Sequence, residues 1–259
     1  GDFAIALTAS STPEAILFGM PNQGGGAGGA PDSAKYVVSE AHASLSAELI
    51  IPRMAGHPDT PASSPNTEDD EFPGSSLDVK WTQDGTPTIT VTKSHVLIEN
   101  TTINGTTQIR GIRQTAPATP WTATCKFAIV PVISGVNNEW CMGMLLHDTI
   151  SGRYEIYGMG MFSVNELRLG RVRQTSLTAF SSYATVGHVA AYKCMSGYLA
   201  ITDDGTNLLY KLSIDGYMPL TTILSESRTT FLTNGPNRFG LGVYQFQAEA
   251  HLSVDWFRR

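Results

Sequence analysis

Aromatic side chains with polar neighbours are the residues of this sequence best suited to chemistry, because this combination binds sugars. A sugar packs its apolar face against an aromatic ring, and its hydroxyls hydrogen-bond to carboxylates, amides and guanidinium groups. The alternative for each candidate is an ordinary surface residue, because exposed tyrosines are common. The sequence predicts a carbohydrate site drawn from Trp140, Arg153, Tyr154, Glu155, Tyr157, Tyr183 and Tyr244.

Other catalytic arrangements find no support in the sequence. It has no G-x-S-x-G turn for a serine nucleophile. The histidines are scattered, which argues against a zinc site, and the adjacent His147 and Asp148 would point to opposite faces of a strand. The glycine-rich run at residues 24–29 is not followed by the Lys-Ser/Thr pair of a phosphate-binding loop.

The elements that must position the candidate residues are β-strands. In residues 248–257, small or apolar residues alternate with Glu249, His251, Ser253 and Asp255. This period of two is typical of a strand with one buried and one wet face. It predicts a closing strand with Trp256 in the core, so that Trp256→Ala costs about 3–5 kcal/mol of stability.

Similar patterns predict strands along the rest of the chain from residue 68 onward. Short strands about 8–12 residues apart, with no helical stretch, indicate an antiparallel sandwich or barrel. The predicted strands lie near residues 79–82, 88–92, 94–99, 107–114, 122–130, 140–147, 153–160, 166–174, 186–195, 197–202, 207–214, 220–224, 238–246 and 248–257.

The amino-acid composition agrees with a turn-rich β protein, and the net charge excludes some classes of binding partner. Charged residues make up only 15% of the chain, with 25 glycines and 14 prolines. The net charge of −6 argues against nucleic acid or an anionic membrane as a partner. No apolar run approaches the roughly 20 residues of a membrane span.

The cysteines indicate a reducing compartment. Cys125, Cys141 and Cys194 lie far apart, form no C-x-x-C pair and have apolar neighbours. We therefore predict buried free thiols, with a disulfide or metal site as the lesser alternative.

Residues 1–66 differ in composition from the rest of the chain, and this difference predicts an extended arm. Glycine-rich and proline-rich runs flank two short predicted strands, at residues 34–38 and 45–52. An isolated hairpin cannot bury a core of its own, so the arm needs a partner surface. We expect residues 1–66 to serve assembly or docking and residues 67–259 to form the β-sandwich.

Several blocks of the sequence resemble, in order, the concanavalin A-like lectin/glucanase family. The first is EDDEFPGSSLDVKW at residues 68–81, and the last is VDWFR at residues 254–258. Between them lie residues 110–123 (RGIRQTAPATPWTA), 143–153 (GMLLHDTISGR) and 201–208 (ITDDGTNL). The resemblance covers about residues 68–259 and implies an antiparallel jelly-roll sandwich whose two ends lie close together.

The form of the family that the chain most resembles occurs in bacteriophage virion proteins, where a segment similar to residues 30–38 (APDSAKYVV) and 45–48 (LSAE) precedes the lectin-like domain. This resemblance implies a non-enzymatic tail-fibre, spike or capsid-decoration protein, located in the virion and assembled in the host cytoplasm. Its expected partners are other virion proteins, contacted through the arm, sister chains in a homo-oligomer such as a trimer, and a glycan.

The same resemblance raises two further possibilities. Laminarinase-type members are retaining glycosidases that carry paired carboxylates in an E-x-D-x-(x)-E strand motif, which this sequence lacks. A glycoside hydrolase or polysaccharide depolymerase is therefore the alternative to a non-enzymatic role. We expect no cofactor, except that related sandwiches hold a structural calcium, for which Asp69, Asp70 and Asp255, with Glu71 beside them, supply suitable oxygen ligands.

Overall fold

A computed structural model describes residues 3–8, 13–18, 66–92, 94–101, 107–132, 139–162, 167–186, 196–213, 220–246 and 249–259. The chain divides into two compact units, Gly1–Thr60 and Pro61–Arg259. The first contains an antiparallel hairpin of β1 (Phe3–Thr8) and β2 (Pro13–Phe18), with Phe3 opposite Phe18. This hairpin was not predicted from the sequence, and the hairpin that was predicted, at residues 34–38 and 45–52, lies outside the described residues.

In the described residues of the second unit, all regular secondary structure is β-strand. They are β3 (Thr82–Asp84), β4 (Thr88–Thr92), β5 (His95–Asn100), β6 (Gln108–Thr115), β7 (Trp121–Val132), β8 (Glu139–Asp148), β9 (Arg153–Met161), β10 (Leu167–Gln174), β11 (Phe180–Thr185), β12 (Ser196–Asp203), β13 (Asn207–Ser213), β14 (Thr221–Ser227), β15 (Arg238–Phe246) and β16 (Glu249–Arg258). In the described part of the chain, no helix is long and apolar enough to cross a membrane.

These strands form two antiparallel seven-stranded sheets. The front sheet has the order β11-β10-β9-β8-β15-β6-β3, and the back sheet has the order β14-β13-β12-β7-β16-β5-β4. Strands distant in sequence are neighbours in both sheets, as when β15 lies between β6 and β8. The predicted fold class, an all-β antiparallel sandwich of the concanavalin A-like jelly-roll type, is confirmed.

The main core lies between the two sheets and follows from strand alternation. On β7, Ala123, Cys125, Phe127 and Ile129 are buried, whereas the residues between them are partly exposed. Fully burying a large apolar side chain such as Phe127 or Ile129 stabilises the fold by roughly 1.5–3 kcal/mol. Cys125 and Cys141 are free buried thiols, as predicted, and Cys194 lies outside the described residues.

The two ends of the sandwich meet, as the family resemblance implied. Asp70 and Phe257 form a two-way backbone bridge with N···O distances of 2.8 Å. The Asp70 carboxylate accepts hydrogen bonds from Trp81 Nε1 at 2.7 Å and from the Phe72 amide at 2.8 Å. The Trp81 ring in turn packs edge-on against Phe257, with centroids 5.2 Å apart. The segment before β3 therefore holds the start of the sandwich against its last strand, β16.

The closing strand differs from its predicted pattern at one point. Its register shifts between Val254 and Trp256, which is a β-bulge, so Trp256 lies opposite Lys126 and Phe257 lies opposite Cys125. Phe257 therefore joins the core between the sheets, and Trp256 packs on the other face of the back sheet, near Tyr198. The predicted burial of Trp256 is confirmed, since its side chain is 5% exposed. The extra residue of the bulge reverses the alternation that follows it, however, so Trp256 is buried on the outer face of the back sheet and not in the main core.

One other strand prediction needs correction, one strand was missed, and one prediction is not tested. The strand predicted at residues 79–82 begins only at Thr82, since residues 79–80 form a turn. Strand β11 (Phe180–Thr185) was not predicted, because its serines, alanine and threonine give a weak apolar pattern. The strand predicted at residues 186–195 falls mainly outside the described residues.

Candidate functional site

A row of glycines crosses the face of the front sheet that is turned away from the core. We call this surface the front face. Five adjacent strands, β6, β15, β8, β9 and β10, each place a glycine at the same cross-strand position. The row consists of Gly111, Gly242, Gly143, Gly158 and Gly170.

Two of these glycines show that the row allows close packing of neighbouring groups. A Cβ atom at Gly158 would lie 1.9 Å from the carbonyl oxygen of Met142 on the adjacent strand. A Cβ atom at Gly170 would lie 2.8 Å from the ring of Phe162, which covers that strand. Side chains at these positions would push the strands and the covering ring away, so glycine allows this close packing.

The front sheet curls so strongly that groups from distant strands meet over the front face. Tyr183 on β11 and Tyr244 on β15, four strands away, bring their hydroxyl oxygens to 2.8 Å. Tyr154 on β9 reaches Asp84 on the edge strand β3, with an oxygen–oxygen distance of 3.4 Å. In a flat sheet, strands four positions apart would be separated by about 19 Å.

The floor of this curled face is an apolar cluster separate from the main core. It contains Ile109, Cys141, Leu145, Tyr154, Ile156, Phe162, Val172 and Tyr244. Residues 175–179, which connect β10 to β11 and which we call the strap, pack across it. The Leu177 side chain packs on the cluster, and its carbonyl accepts a hydrogen bond from the Ile109 amide at 2.9 Å. The strap therefore covers part of the front face.

One end of the front face carries an aromatic patch, which comprises Glu139, Phe162, Phe180, Tyr183 and Tyr244. The Phe180 and Tyr183 ring centroids lie 4.5 Å apart, and Phe180 lies 6.3 Å from Tyr244. Phe180 is 40% exposed, although it is a large apolar residue. The Tyr183 hydroxyl donates a hydrogen bond to the Glu139 carboxylate. This patch therefore combines an exposed ring with a carboxylate acceptor.

The two tyrosines of the patch are held as neutral phenols. Burial raises the pKa of Tyr183 well above its ordinary value, and hydrogen bonds to Glu139 and Tyr244 raise it further. Burial likewise raises the pKa of Tyr244, and the negative charge of Glu139 contributes to the shift. At neutral pH both hydroxyls can therefore act as hydrogen-bond donors.

The other end of the front face carries a polar cluster of Asp84, Arg113, His147 and Tyr154. The His147 and Tyr154 rings stack with centroids 3.8 Å apart and planes inclined by 14°. Asp84 forms an ion pair with Arg113 at 2.6 Å. His147 is only 6% exposed, and its Nδ1 atom has no hydrogen-bond partner in the described structure.

Burial determines the protonation states in the polar cluster. It lowers the pKa of His147 to about 4, because desolvation outweighs the attraction of Asp84 and Asp148 for the proton. It raises the pKa of Tyr154 to about 12, with a further contribution from the charge of Asp84. Both side chains are therefore neutral near pH 7.

A second group of charges, which we call the buried ion cluster, lies between the sheets. Glu155 on β9 contacts Arg173 Nε at 2.6 Å and accepts a hydrogen bond from the Tyr210 hydroxyl at 2.5 Å. Glu226 on the edge strand β14 pairs with Arg173 at 2.5 Å and also with Arg171. The charges of two carboxylates and two guanidinium groups therefore balance across the gap between the sheets.

The structure separates the residues predicted to bind sugar. Trp140 and Tyr157 lie in the main core at 1% and 0% exposure, and the Tyr157 hydroxyl donates to the Lys211 carbonyl at 3.0 Å. Arg153 lies over the Phe231 ring and donates to its carbonyl at 2.8 Å. Glu155 belongs to the buried ion cluster.

The predicted residues on the front face are Tyr154, Tyr183 and Tyr244. Tyr154 stacks on His147 in the polar cluster, whereas Tyr183 and Tyr244 meet in the aromatic patch. Alternation along β9 explains part of this division, because Tyr154 points to the front face and Glu155 and Tyr157 point toward the back sheet.

Sequence reasoning missed three members of the patch, Phe162, Phe180 and Glu139. Phe180 opens a strand whose pattern is weak, and Glu139 is separated from Tyr183 by 44 positions. The available signal was an isolated Phe within a polar, serine- and threonine-rich stretch at residues 175–182. An apolar residue among turn residues either packs on the body of the domain or forms part of a binding surface.

The proposed calcium ligands have protein partners. Both Asp70 oxygens accept hydrogen bonds, as described above, and Asp69 accepts one from the Arg259 amide at 2.6 Å. Asp255, the extra residue at the bulge, pairs with Lys126 at 2.9 Å. Among the described residues, no three His, Cys, Asp or Glu side chains are grouped closely enough to hold a metal ion. A structural calcium stays a prediction.

Comparison with known proteins bears on the fold. No protein-family model and no curated protein matches the sequence. A solved structure described as bifunctional GH43-CE from Bacteroides eggerthii shares 14% identity and superposes on 73% of this chain with a TM-score of 0.51. This chain corresponds to only 25% of that protein's length. At such identity the similarity shows a common fold and nothing further.

Two other solved structures cover most of their own length in the superposition. The catalytic domain of an endo-1,3-beta-glucanase (laminarinase) from Thermotoga petrophila matches 73% of this chain and 94% of its own, at 10% identity and a TM-score of 0.44. The exoplasmic/lumenal domain of VIP36, in a Ca2+-bound form, matches 71% and 84%, at 10% identity and a TM-score of 0.45.

Proposed function

We propose that this chain is a non-enzymatic structural protein of a bacteriophage virion whose β-sandwich adheres to glycans through the aromatic patch. The observation that carries the glycan-binding part is the exposed ring of Phe180, which lies beside Tyr183 and within the same cluster as the Glu139 carboxylate. An apolar ring surface beside hydrogen-bonding groups is what a sugar needs for stacking and orientation.

The glycan would contact the rim of the front face and leave its centre covered. The strap and Leu177 occupy part of the apolar floor, and the polar cluster closes the opposite end. A long polysaccharide lying across the sheet would have to displace these groups. We therefore expect recognition of one or two sugar units at the patch, such as a chain end or a side branch.

The arrangement of carboxylates supports a non-enzymatic role. A retaining glycosidase requires two carboxyl groups about 5–5.5 Å apart on either side of the scissile bond. Glu155, the carboxylate that sequence analysis singled out, is 1% exposed and contacts Arg173 and Tyr210 between the sheets. On the front face, Asp84 is paired with Arg113. In the described part of the chain, these carboxylates serve packing and charge balance.

The virion assignment rests on the resemblance of residues 30–48 and of the later blocks to phage virion proteins. We propose that the arm at residues 1–66 docks on other virion proteins or joins sister chains, with a trimer as one arrangement. Light scattering of the full chain, combined with limited proteolysis, tests this part. A compact monomer whose first 66 residues resist protease would contradict it.

A glycan array tests adhesion directly. The full chain should bind a subset of the printed glycans, and Phe180→Ala should weaken that binding about tenfold because the stacking surface is lost. Ile150→Ala is a matched control, since Ile150 is also an exposed apolar residue, at 74%, but lies in the β8–β9 turn. An array that stays blank at high protein concentration would contradict glycan adhesion.

The hydrolase alternative is tested on the same glycans. If the intact chain released reducing ends from a bound polysaccharide, the non-enzymatic proposal would fail and the laminarinase-like alternative would replace it.

A further inference from the structure

We propose that the aromatic patch selects glycans that carry an organic ammonium group, with the Glu139 carboxylate as the counter-ion and the Phe180 and Tyr183 rings as the contact surface. The protonated amine of an amino sugar and the quaternary ammonium of a choline substituent share this chemistry. The inference rests on the proposed glycan-binding function and adds the chemical class of the ligand.

The geometry brings several aromatic rings around one carboxylate. Tyr183 lies edge-on to both Phe162 and Tyr244, with centroid distances of 5.2 and 6.1 Å, and Phe180 tilts against Tyr183 at 4.5 Å. The Tyr183 hydroxyl contacts both Glu139 and the Tyr244 hydroxyl. The carboxylate and the most exposed ring of the patch are therefore linked through one tyrosine.

This combination attracts cations for two reasons. The face of an aromatic ring carries a negative electrostatic potential, so an alkylammonium group within about 6 Å of the ring centroid is stabilised. A carboxylate beside the rings adds an opposite charge, and its effect is strengthened where protein excludes water. A neutral sugar would gain the stacking contact and hydrogen bonds, but not the attraction between opposite charges.

The partners of Glu139 distinguish it from several other buried or half-buried carboxylates. Asp84, Glu155, Asp203 and Glu226 each contact an arginine. The hydrogen bond of Glu139 in the described structure comes from a neutral phenol. Its negative charge is felt by both tyrosines, because it contributes to the raised pKa of Tyr183 and of Tyr244. The patch is therefore a place where an added cation would be favoured.

Matched ligand pairs test the proposal. The full chain is titrated by calorimetry at pH 6.5 with glucosamine and with N-acetylglucosamine, which keeps the sugar ring but lacks the charge. Choline is compared in the same way with 3,3-dimethyl-1-butanol, its neutral isostere. We expect the charged member of at least one pair to bind about tenfold more tightly, and the pair that shows the difference identifies the source of the ammonium group.

Variants locate the effect. Glu139→Gln should remove most of the preference for the charged ligand, and Phe180→Leu should weaken binding while keeping an apolar side chain in place. Glu71→Gln removes a carboxylate that pairs with Arg258 in the other sheet, and it should behave as the unmodified chain. Thermal melts of each variant confirm that the fold is retained.

Two results would overturn the inference. One is equal affinity for the charged and neutral members of both pairs, and the other is an unchanged preference in a folded Glu139→Gln protein. If the glycan array is positive while these comparisons show no charge preference, only the ammonium specificity fails. A blank array together with no binding in any titration would instead remove the proposed glycan adhesion itself.

Discussion

At the scale of single residues, the face of the strand decides what a side chain does. His147 and Asp148 are adjacent, yet His147 stacks on Tyr154 on the front face and Asp148 anchors a turn. Although burial opposes ionisation of Asp148, hydrogen bonds from Ser151 and Asn234 lower its pKa. Burial lowers the pKa of His147 to about 4. The same pair of residues therefore holds one stable charge and one stable neutral ring.

The pH dependence of stability should show the effect of His147. Its folded pKa of about 4 lies below the ordinary value of 6.5, so the unfolded chain binds the proton more readily. The stabilisation is complete above pH 6.5 and is lost as the pH falls from 6.5 toward 4. We expect a loss of at most about 3 kcal/mol over this range, measured by urea unfolding at several pH values.

His147→Gln should flatten the curve over this range, because glutamine cannot take up the proton. His95→Gln changes the same residue type at the start of β5, outside the polar cluster, and should retain the slope of the unmodified chain. If His147→Gln left the slope unchanged, the histidine would not be the group responsible.

At the scale of elements, one β-bulge changes the role of the closing strand. Alternation places Val254 in the core, and the extra residue Asp255 then turns Trp256 outward and Phe257 inward. Phe257 contacts Trp81 and Phe239 with centroids 5.2 and 5.5 Å apart. Trp256 packs against Tyr198 and lies under the Arg258 guanidinium, 4.3 Å from it.

Alanine substitution should separate these two aromatic residues. Phe257→Ala opens a cavity in the main core and should cost about 3–5 kcal/mol. Trp256→Ala removes a ring that is only 5% exposed but lies on the outer face of the back sheet, outside the main core, and it should cost less, about 1–3 kcal/mol. Urea unfolding of both variants measures the difference. A larger loss for Trp256→Ala would mean that the alternation continues through the bulge.

At the scale of the whole molecule, the two sheets are joined by charge as well as by apolar packing. Glu155, Arg171 and Arg173 belong to the front sheet, and Tyr210 and Glu226 belong to the back sheet. A buried ion pair contributes little net stability, because desolvation offsets the attraction between the charges. Removal of one partner is different, because the remaining charges are left buried without balance.

Glu155→Gln should therefore destabilise the domain by about 3 kcal/mol or more, since Arg171 and Arg173 would keep only Glu226 as a counter-charge. Glu71→Gln breaks a partly exposed pair with Arg258 and should cost less than about 1 kcal/mol. Thermal melts or urea unfolding provide the measurement. Equal losses of stability in the two variants would show that breaking the buried ion cluster costs no more than breaking a partly exposed ion pair.

Much of the fold was predictable from the sequence, because strand alternation is a local property. Ala250, Leu252 and Val254 were assigned to the buried face of the last strand from their spacing, and they are buried. The approach of the two ends of the sandwich followed from a family resemblance at residues 68–81 and 254–258, and the bridge between Asp70 and Phe257 confirms it.

The candidate site was predictable only in part, because its members come from strands far apart in sequence. Tyr183 and Tyr244 were chosen for their residue type, but nothing local indicates that their hydroxyls meet at 2.8 Å. Trp140 and Tyr157 were chosen on the same grounds and lie in the core. Composition alone could not separate these two outcomes, since both kinds of position favour large aromatic residues.

The sequence by itself determined the all-β class, the positions of most strands and the buried face of most of the closing strand. These follow from period-two alternation, turn residues and low charge, all of which act over a few neighbouring positions. Only the tertiary structure decided which strands are neighbours, how tightly the front sheet curls and which side chains meet on its face. The row of glycines on five adjacent strands exists only once those strands are paired, and the aromatic patch depends on the curl that this row permits.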